Sequence, residues 1–236
     1  MSWKAFLRKN CVTLLLMLFT GIGITVTGIV FDQAAIRMLP LYVSLVIGLM
    51  HTRAIRYAHL LGSINVILYG FVNLYYGLVA SAMSCFFFSC PMQMITFLRW
   101  DKNKYGSSTK FRKLSWRWRA IIAVGFVIVW IGVSFALEAL GSAYRFLDNT
   151  ATLHGILVTA LVMLSFIEHA PLRVLDGILN IVLMLFVVFD HPEQIPYVIY
   201  NCYSLICVTI GAFSTLRLYK EQHNVAQDAA LKGELV

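Results

Sequence analysis

The sequence predicts an all-α integral membrane protein of about eight spanning helices, with almost no soluble domain. Three observations predict this class. Hydrophobic residues make up 60% of the 236 positions and charged residues 13%, whereas a soluble domain carries about 25% charged residues. Long apolar runs recur along the chain, and crossing the bilayer core takes roughly 20 such residues. The basic residues also fall on one side when the runs are laid out as alternating spans.

The first run is 11–31. Lys4, Arg8 and Lys9 precede it, as in a signal peptide. The run is too long for a signal-peptide core and no A-x-A-like site follows at once, so it is expected to remain as a helix. The second run, 36–50, is short. The third and fourth, 60–79 and 80–98, are separated only by a tight turn near Gly77. Pro91 lies inside the fourth; it removes a backbone donor and is expected to kink the helix there. The fifth run is 120–140, the sixth 150–167, the seventh 174–189 and the eighth 195–216. The tail, 217–236, is polar and short and is expected to fray.

With the N-terminus placed inside, all but Arg37 and Arg145 of the 19 basic residues lie on the cytoplasmic side. Asp32, Asp148, Asp190 and Glu193 lie outside. An odd number of helices would put the basic 99–119 loop and the basic C-terminal flank on opposite faces, so the charges support eight. The net charge of +8 therefore points to a membrane surface rather than to nucleic acid. The loop interleaves its basic residues with aromatic ones, and Trp100, Trp116 and Trp118 are expected at the membrane interface. The five cysteines, Cys11, Cys85, Cys90, Cys202 and Cys207, lie in apolar runs without a C-x-x-C pair. They are expected to be lipid- or helix-facing thiols that behave as small hydrophobes.

Two stretches echo each other: LLGSINVILYGFVNLYYGL at 60–78 and VLDGILNIVLMLFVVFDH at 174–191, aligned on Asn65 and Asn180. Each following run holds a C-x-x-x-x-C and ends in a similar motif, FLRW at 97–100 and TLRL at 215–218. The implied organisation is an N-terminal region 1–31 with an extra helix, a three-helix repeat 36–98 and the basic loop 99–119. A linker helix 120–140, a second three-helix repeat 150–216 and the tail follow. The linker crosses once, so the repeats run parallel, related by an axis along the membrane normal (3+1+3). That arrangement points to a transporter holding its substrate between the repeats near the bilayer midplane.

No G-x-S-x-G, H-E-x-x-H or phosphate loop is present, and no carboxylates pair at helical spacing within a span. No cofactor or metal is expected. Polar groups in the bilayer are costly and usually face protein or a cavity, so Asn65, Asn73, Gln93, Thr152, His154, Asp176, Asn180 and Asn201 are singled out, with Tyr69, Tyr200 and Tyr203 nearby. Asn65 and Asn180 are expected to face each other across the repeat axis, each able to donate and accept hydrogen bonds; the alternative is that they tie helices together. Tyr69 is one turn beyond Asn65 and offers an aromatic surface. Gln93 and Asn201 would contribute from the third helix of each repeat. Asp176, four residues before Asn180, either contacts substrate or pairs with Arg173. His154 reads as a packing residue and Glu138 as a structural group near the outer interface.

On these residues the chain resembles the PnuC family of bacterial vitamin transporters over most of 36–218. FLDNTATLHGILVTALV (146–162) resembles the family's L-D-a-x-T-T segment, with Asp148 and Thr152 at the matching positions. LDGILNIVLMLF (175–186) resembles its V-N stretch at Asn180. GSINVILYGFVNLYYGL (62–78) resembles G-i-i-N-v-l-x-y at Asn65, and Trp100 matches a common Trp at the helix end. The resemblance implies facilitated diffusion of a vitamin or nucleoside, most simply of nicotinamide riboside type, with deoxynucleosides, thiamine and riboflavin as alternatives. It implies a bacterial cell membrane location and a cytoplasmic kinase that traps the substrate by phosphorylation. The partners are then the small molecule, the bilayer and that kinase, with homo-oligomerisation left open. The nicotinamide riboside branch has a W-x-x-W before the second-repeat Asn; Arg173 and Asp176 stand there instead. A pyridinium would lose a cation–π contribution of roughly 0.5–2 kcal/mol. An integral-membrane enzyme would need convergent His, Asp or Glu residues, and a sensor an output domain; neither is visible.

Overall fold

The computed structural model describes residues 3–51, 55–99, 104–105, 108–142 and 144–231. Helices α1 (Trp3–Val30), α2 (Ala35–His51), α3 (Tyr57–Tyr75) and α4 (Val79–Arg99) carry the first half. Helices α5 (Trp116–Ala139), α6 (Arg145–Met163), α7 (His169–Asp190) and α8 (Ile195–Leu231) carry the second. All but α2 are long and apolar enough to cross a membrane. Helix α2 has 17 residues, which at about 1.5 Å per residue reaches only the lower end of a spanning length. The strands among the described residues are β1 (Lys104–Tyr105) and β2 (Ser108–Thr109), a two-residue hairpin in the basic loop.

Four helices stop in one way. After α3, Gly77 N–H donates to Leu74 O and Leu78 N–H to Asn73 O. This is the paired i→i−3 and i→i−5 closure that satisfies orphan carbonyls at a helix end. It needs a left-handed residue, and Gly77 has φ +68, at the turn expected from the sequence. Gly141 (φ 69) closes α5 identically. Asp32 (φ 47) and Ser165 (φ 58) do the same for α1 and α6 without a glycine. Helix α8, by contrast, does not stop where the hydrophobic run stops. It continues to Leu231, replacing the expected frayed tail. Residues 217–231 contain neither Gly nor Pro, and an Arg217–Glu221 pair spans one turn, so nothing breaks the helix.

Packing neighbours close a ring. Helix α2 packs on α3, α3 on α4, α4 on α6, α6 on α7, α7 on α8, and α8 back on α2. Exchanging α2–α4 with α6–α8 leaves this order of neighbours unchanged. Helix α1 lies outside the ring over the α2/α8 seam, and α5 lies outside against α6. The exterior is apolar, with Val12, Val30, Phe135, Phe189 and Phe213 exposed, while the interior combines an apolar core (Ile24, Leu41, Leu183, Val187) with buried polar residues Asn65, Asp148, Asn149 and His154. An apolar exterior that keeps polar groups inside is what a bilayer demands.

The two seams between the halves are fastened differently. At α4/α6, the Asp148 carboxylate accepts from Ala80 N–H (3.0 Å), Ser81 N–H (3.2 Å) and the Ser81 hydroxyl. It thus caps the N-terminus of α4, whose orphan donors and dipole favour an anion. At α2/α8 the fasteners are neutral. Tyr197 donates to Arg37 O (2.7 Å) and Tyr203 to Leu45 O (3.0 Å), and in the connections just before the two helices Gln33 Nε2 donates to Glu193 O (2.6 Å). Helix α5 is tied on by Trp130 Nε1 to Thr150 (2.9 Å), and by Asn149 Nδ2 to Trp130 O and to Ser134.

The basic loop is more than a run of topology-determining charge. Residues 110–115 form a strap along the α6–α7 turn. Arg112 N–H donates to Ser165 O and Ile167 N–H to Arg112 O. Glu168 accepts from Leu114 N–H and from Arg119, while Gln222 of α8 accepts from Phe111 N–H. Trp116 and Trp118 are exposed. Trp100, and Arg53, Lys102 and Lys232 from the charge argument, lie outside the described residues.

Candidate functional site

The ring encloses a polar cavity of about 320 Å³. Helix α4 supplies one wall, and its sequence shows how. An α-helix turns about 100° per residue, so a straight helix could not present Ser81, Ser84, Ser89, Gln93 and Thr96 together. Between Cys85 and Ser89 the helix widens to a π turn, with Cys90 N–H bonded to Cys85 O. The inserted residue brings Ser89, Gln93 and Thr96 onto the wall begun by Ser81 and Ser84. Pro91 follows at once, and its missing N–H and ring favour such a departure. The kink expected at Pro91 thus takes the form of a π turn just before it. Gln93 is seated opposite Gly62: a Cβ on that glycine would lie 2.0 Å from Gln93 Oε1.

The remaining walls come from both halves of the ring. Helix α6 gives Thr152, Gly155 and Thr159; α7 gives Arg173, Asp176 and Asn180; α3 gives Tyr69 and Asn73; α8 gives Tyr197 and Asn201. Asn180 Nδ2 donates to Asp176 O (2.8 Å) and Asn201 Nδ2 to Asn180 O (3.4 Å). The Tyr69 ring lies 6.1 Å from Tyr197 and 6.4 Å from Tyr200, forming an aromatic corner between α3 and α8. Thr152 is 3.1 Å from Ser81 Oγ, which joins the cavity wall to the Asp148 cap.

Of the residues singled out from the sequence, Tyr69, Gln93, Thr152, Asp176, Asn180 and Asn201 line this cavity. Asn65 does not. Its Nδ2 donates to Pro40 O (3.0 Å) and Ser44 Oγ (2.7 Å), tying α3 to α2, and the residue borders an adjoining cavity of about 220 Å³. Asn65 and Asn180 therefore do not face each other across one space. The sequence alignment matched their positions along the chain, but the Asn65 amide is turned toward α2. Asp176 does not form an ion pair with Arg173 within 4 Å. Its Oδ1 lies 3.3 Å from Nδ1 of the buried His154, so His154 packs in the interior with Asp176 as its partner.

Sequence reasoning missed Ser81, Ser84, Ser89, Thr96, His51 and His59 as wall residues. A signal for the α4 set was present in the three- and four-residue spacing of its polar side chains, but it is split by the one-residue slip of the π turn. His51 and His59 flank the α2–α3 connection, where hydropathy gives only a soft boundary.

Amides, hydroxyls, a carboxylate, a guanidinium and tyrosine rings around a partly open polar space can hold a small polar, partly aromatic molecule. Among the described residues no group of three or more His, Cys, Asp or Glu is placed to hold a metal ion. A helical ring with an apolar exterior around such a space is that of a polytopic membrane protein with an internal binding cavity. The family model for the nicotinamide mononucleotide transporter matches residues 34–217, and the chain belongs to that family. Its fold matches a solved structure described as the vitamin B3 transporter PnuC, with a TM-score of 0.74 at 22% identity, covering 87% of this chain and 90% of that one. No curated protein matches the sequence significantly.

Proposed function

We propose that this transporter carries a water-soluble vitamin or nucleoside, most simply of nicotinamide riboside type, by facilitated diffusion, and that a cytoplasmic kinase traps the substrate by phosphorylation. The observation that carries the proposal is the composition of the cavity wall. Asn180, Asn201, Gln93 and Thr152 offer hydrogen bonds to ribose and amide groups, Asp176 offers a negative charge, and Tyr69 and Tyr197 offer ring surface. The tyrosine corner is an aromatic surface in a chain that lacks the W-x-x-W pair. Asn65 is assigned the adjoining space, which shares Tyr69, Gln93 and Arg173 with the main cavity. The positive-inside rule supports a cytoplasmic location for both termini and the strap, and the family resemblance supports a bacterial cell membrane.

Facilitated diffusion is supported by the scarcity of free acids in the wall: Asp148 is committed to capping α4, leaving Asp176. A proton-coupled alternative has one foothold, the His154–Asp176 pair. Counterflow in proteoliposomes with labelled nicotinamide riboside, thiamine, riboflavin and thymidine distinguishes the two. The expected result is exchange of at least one of them without any ion gradient. Exchange that requires an imposed proton gradient would move the mechanism to His154 and Asp176, and exchange of none would defeat the substrate class.

A further inference from the structure

Arg173 is a charged group in the cavity wall that the transport reading leaves unused. It lies in the second turn of α7, at the end of the ring carrying the strap, and it borders three spaces: the main cavity, the adjoining one, and a third of about 40 Å³ against α8. Among the described residues it makes neither a hydrogen bond nor an ion pair. Asp176, three residues on, is the carboxylate that acts on it electrostatically, but that carboxylate is turned to His154. A guanidinium carries five N–H donors, and leaving a partly buried cation without acceptors is costly. Three imidazoles line its cavities with it. His51 and His59 line the main cavity with it, their rings edge to face at 5.3 Å. His169, anchored through Nδ1 to Phe166 O, lines the third space with it and with His51.

We propose that Arg173, with His51 and His59 at the strap end of the cavity, is a binding site for an oxyanion: the phosphate of a phosphorylated nucleoside or vitamin, or inorganic phosphate itself. The guanidinium fork matches two phosphate oxygens at once, and a neutral imidazole can donate a further N–H. Asp176 and Asn180 lie one and two turns further along the same helix. A ligand with its phosphate on Arg173 thus extends its ribose and ring toward the amide and tyrosine walls. The phosphorylated-substrate form of the inference rests on the transport reading; the anion site does not.

The test uses the purified full-length protein and matched pairs: nicotinamide riboside and its mononucleotide, thiamine and thiamine monophosphate, riboflavin and its mononucleotide, thymidine and its monophosphate, plus inorganic phosphate alone. In the pair that binds, the phosphorylated member is expected to bind at least tenfold tighter. Arg173→Gln is expected to erase that ratio and Arg173→Lys to retain part of it. Melting temperatures are measured on each variant; should Arg173→Gln not fold, the reduced ratio in Arg173→Lys carries the test. If phosphate alone stabilises the wild type but not the Arg173 variants, and no pair shows a preference, the site takes the free anion. Equal affinities within every pair together with no effect of phosphate overturn the inference, as does a preference that survives Arg173→Gln. Phosphate binding through Arg173 in a protein that binds none of the vitamins or nucleosides would refute the substrate class and leave the anion site standing.

Discussion

The two seams of the ring join the same pair of three-helix units, yet one is closed by a charge and the other by neutral groups. At α4/α6 a single fully buried carboxylate takes two backbone donors and a hydroxyl from the start of α4. At α2/α8 three separate side chains, Tyr197, Tyr203 and Gln33, each reach one backbone carbonyl. The difference teaches where the ring is brittle. Loss of a neutral hydrogen bond can be shared among its neighbours, whereas loss of Asp148 leaves several donors at the start of α4 without their acceptor.

The most direct way to break the comparison is Asp148→Ala. Unpairing the start of α4 is expected to cost about 3–5 kcal/mol, seen as a large fall in the melting temperature of the purified protein. Asp148→Asn should fall between that variant and the wild type, because one acceptor oxygen remains. A loss no larger than that of the α2/α8 variants would remove the distinction between the seams.

A second contrast separates a tie within one half from a wall of the cavity. Asn180→Ala is expected to weaken substrate affinity by about 1–3 kcal/mol, roughly 5- to 150-fold, with little change in melting temperature. Asn65→Ala, which releases Pro40 O and Ser44, should lower the melting temperature and leave affinity close to wild type. Binding titrations and melts on both variants decide this, and exchanged phenotypes would reverse the assignment.

Gly62→Ala sharpens the role of the α4 wall. The added methyl must displace Gln93, so affinity should drop by about 1–2 kcal/mol while a small hydrophobic change at that site leaves the fold intact. Titration of the variant beside Gln93→Ala should show the two losses failing to add. The smallest effect is expected for Tyr197→Phe, about 0.5–1.5 kcal/mol of stability for one hydroxyl at the neutral seam. A loss approaching that of Asp148→Ala would show that this seam, too, hangs on one group.

Much of the architecture was legible because the bilayer imposes strong rules. Apolar runs mark the spans, basic residues mark one side, and Gly77 marks the turn between α3 and α4. Six of the seven residues proposed from the sequence as substrate contacts line the cavity for the same reason: polar side chains in a span have few other places to go. The exceptions are instructive. Asn65 is a polar residue that found another helix instead of the cavity, and only geometry distinguishes these two outcomes. The π turn is invisible to a fixed helical period, so the α4 wall reads as scattered serines. Helix α8 outruns its hydropathy because hydropathy reports the membrane, not the helix. The strap was hidden because Glu168 and Gln222 meet it from positions far along the chain.

The neutral seam also imposes an order on biogenesis. Asp148 meets Ala80 across 68 positions of sequence, whereas Gln33 meets Glu193 across 160. During synthesis the charged seam can close as soon as α6 is delivered. Helices α1 and α2 must wait until the final span arrives, with the carbonyls of Arg37 and Leu45 lacking the tyrosines that will cover them. A nascent chain is therefore an open trough with its polar wall turned toward lipid, and α8 converts it into a ring. Chains that stop before α8 would expose that wall, the kind of unsatisfied polar surface a membrane tolerates least, and quality control could recognise them by it.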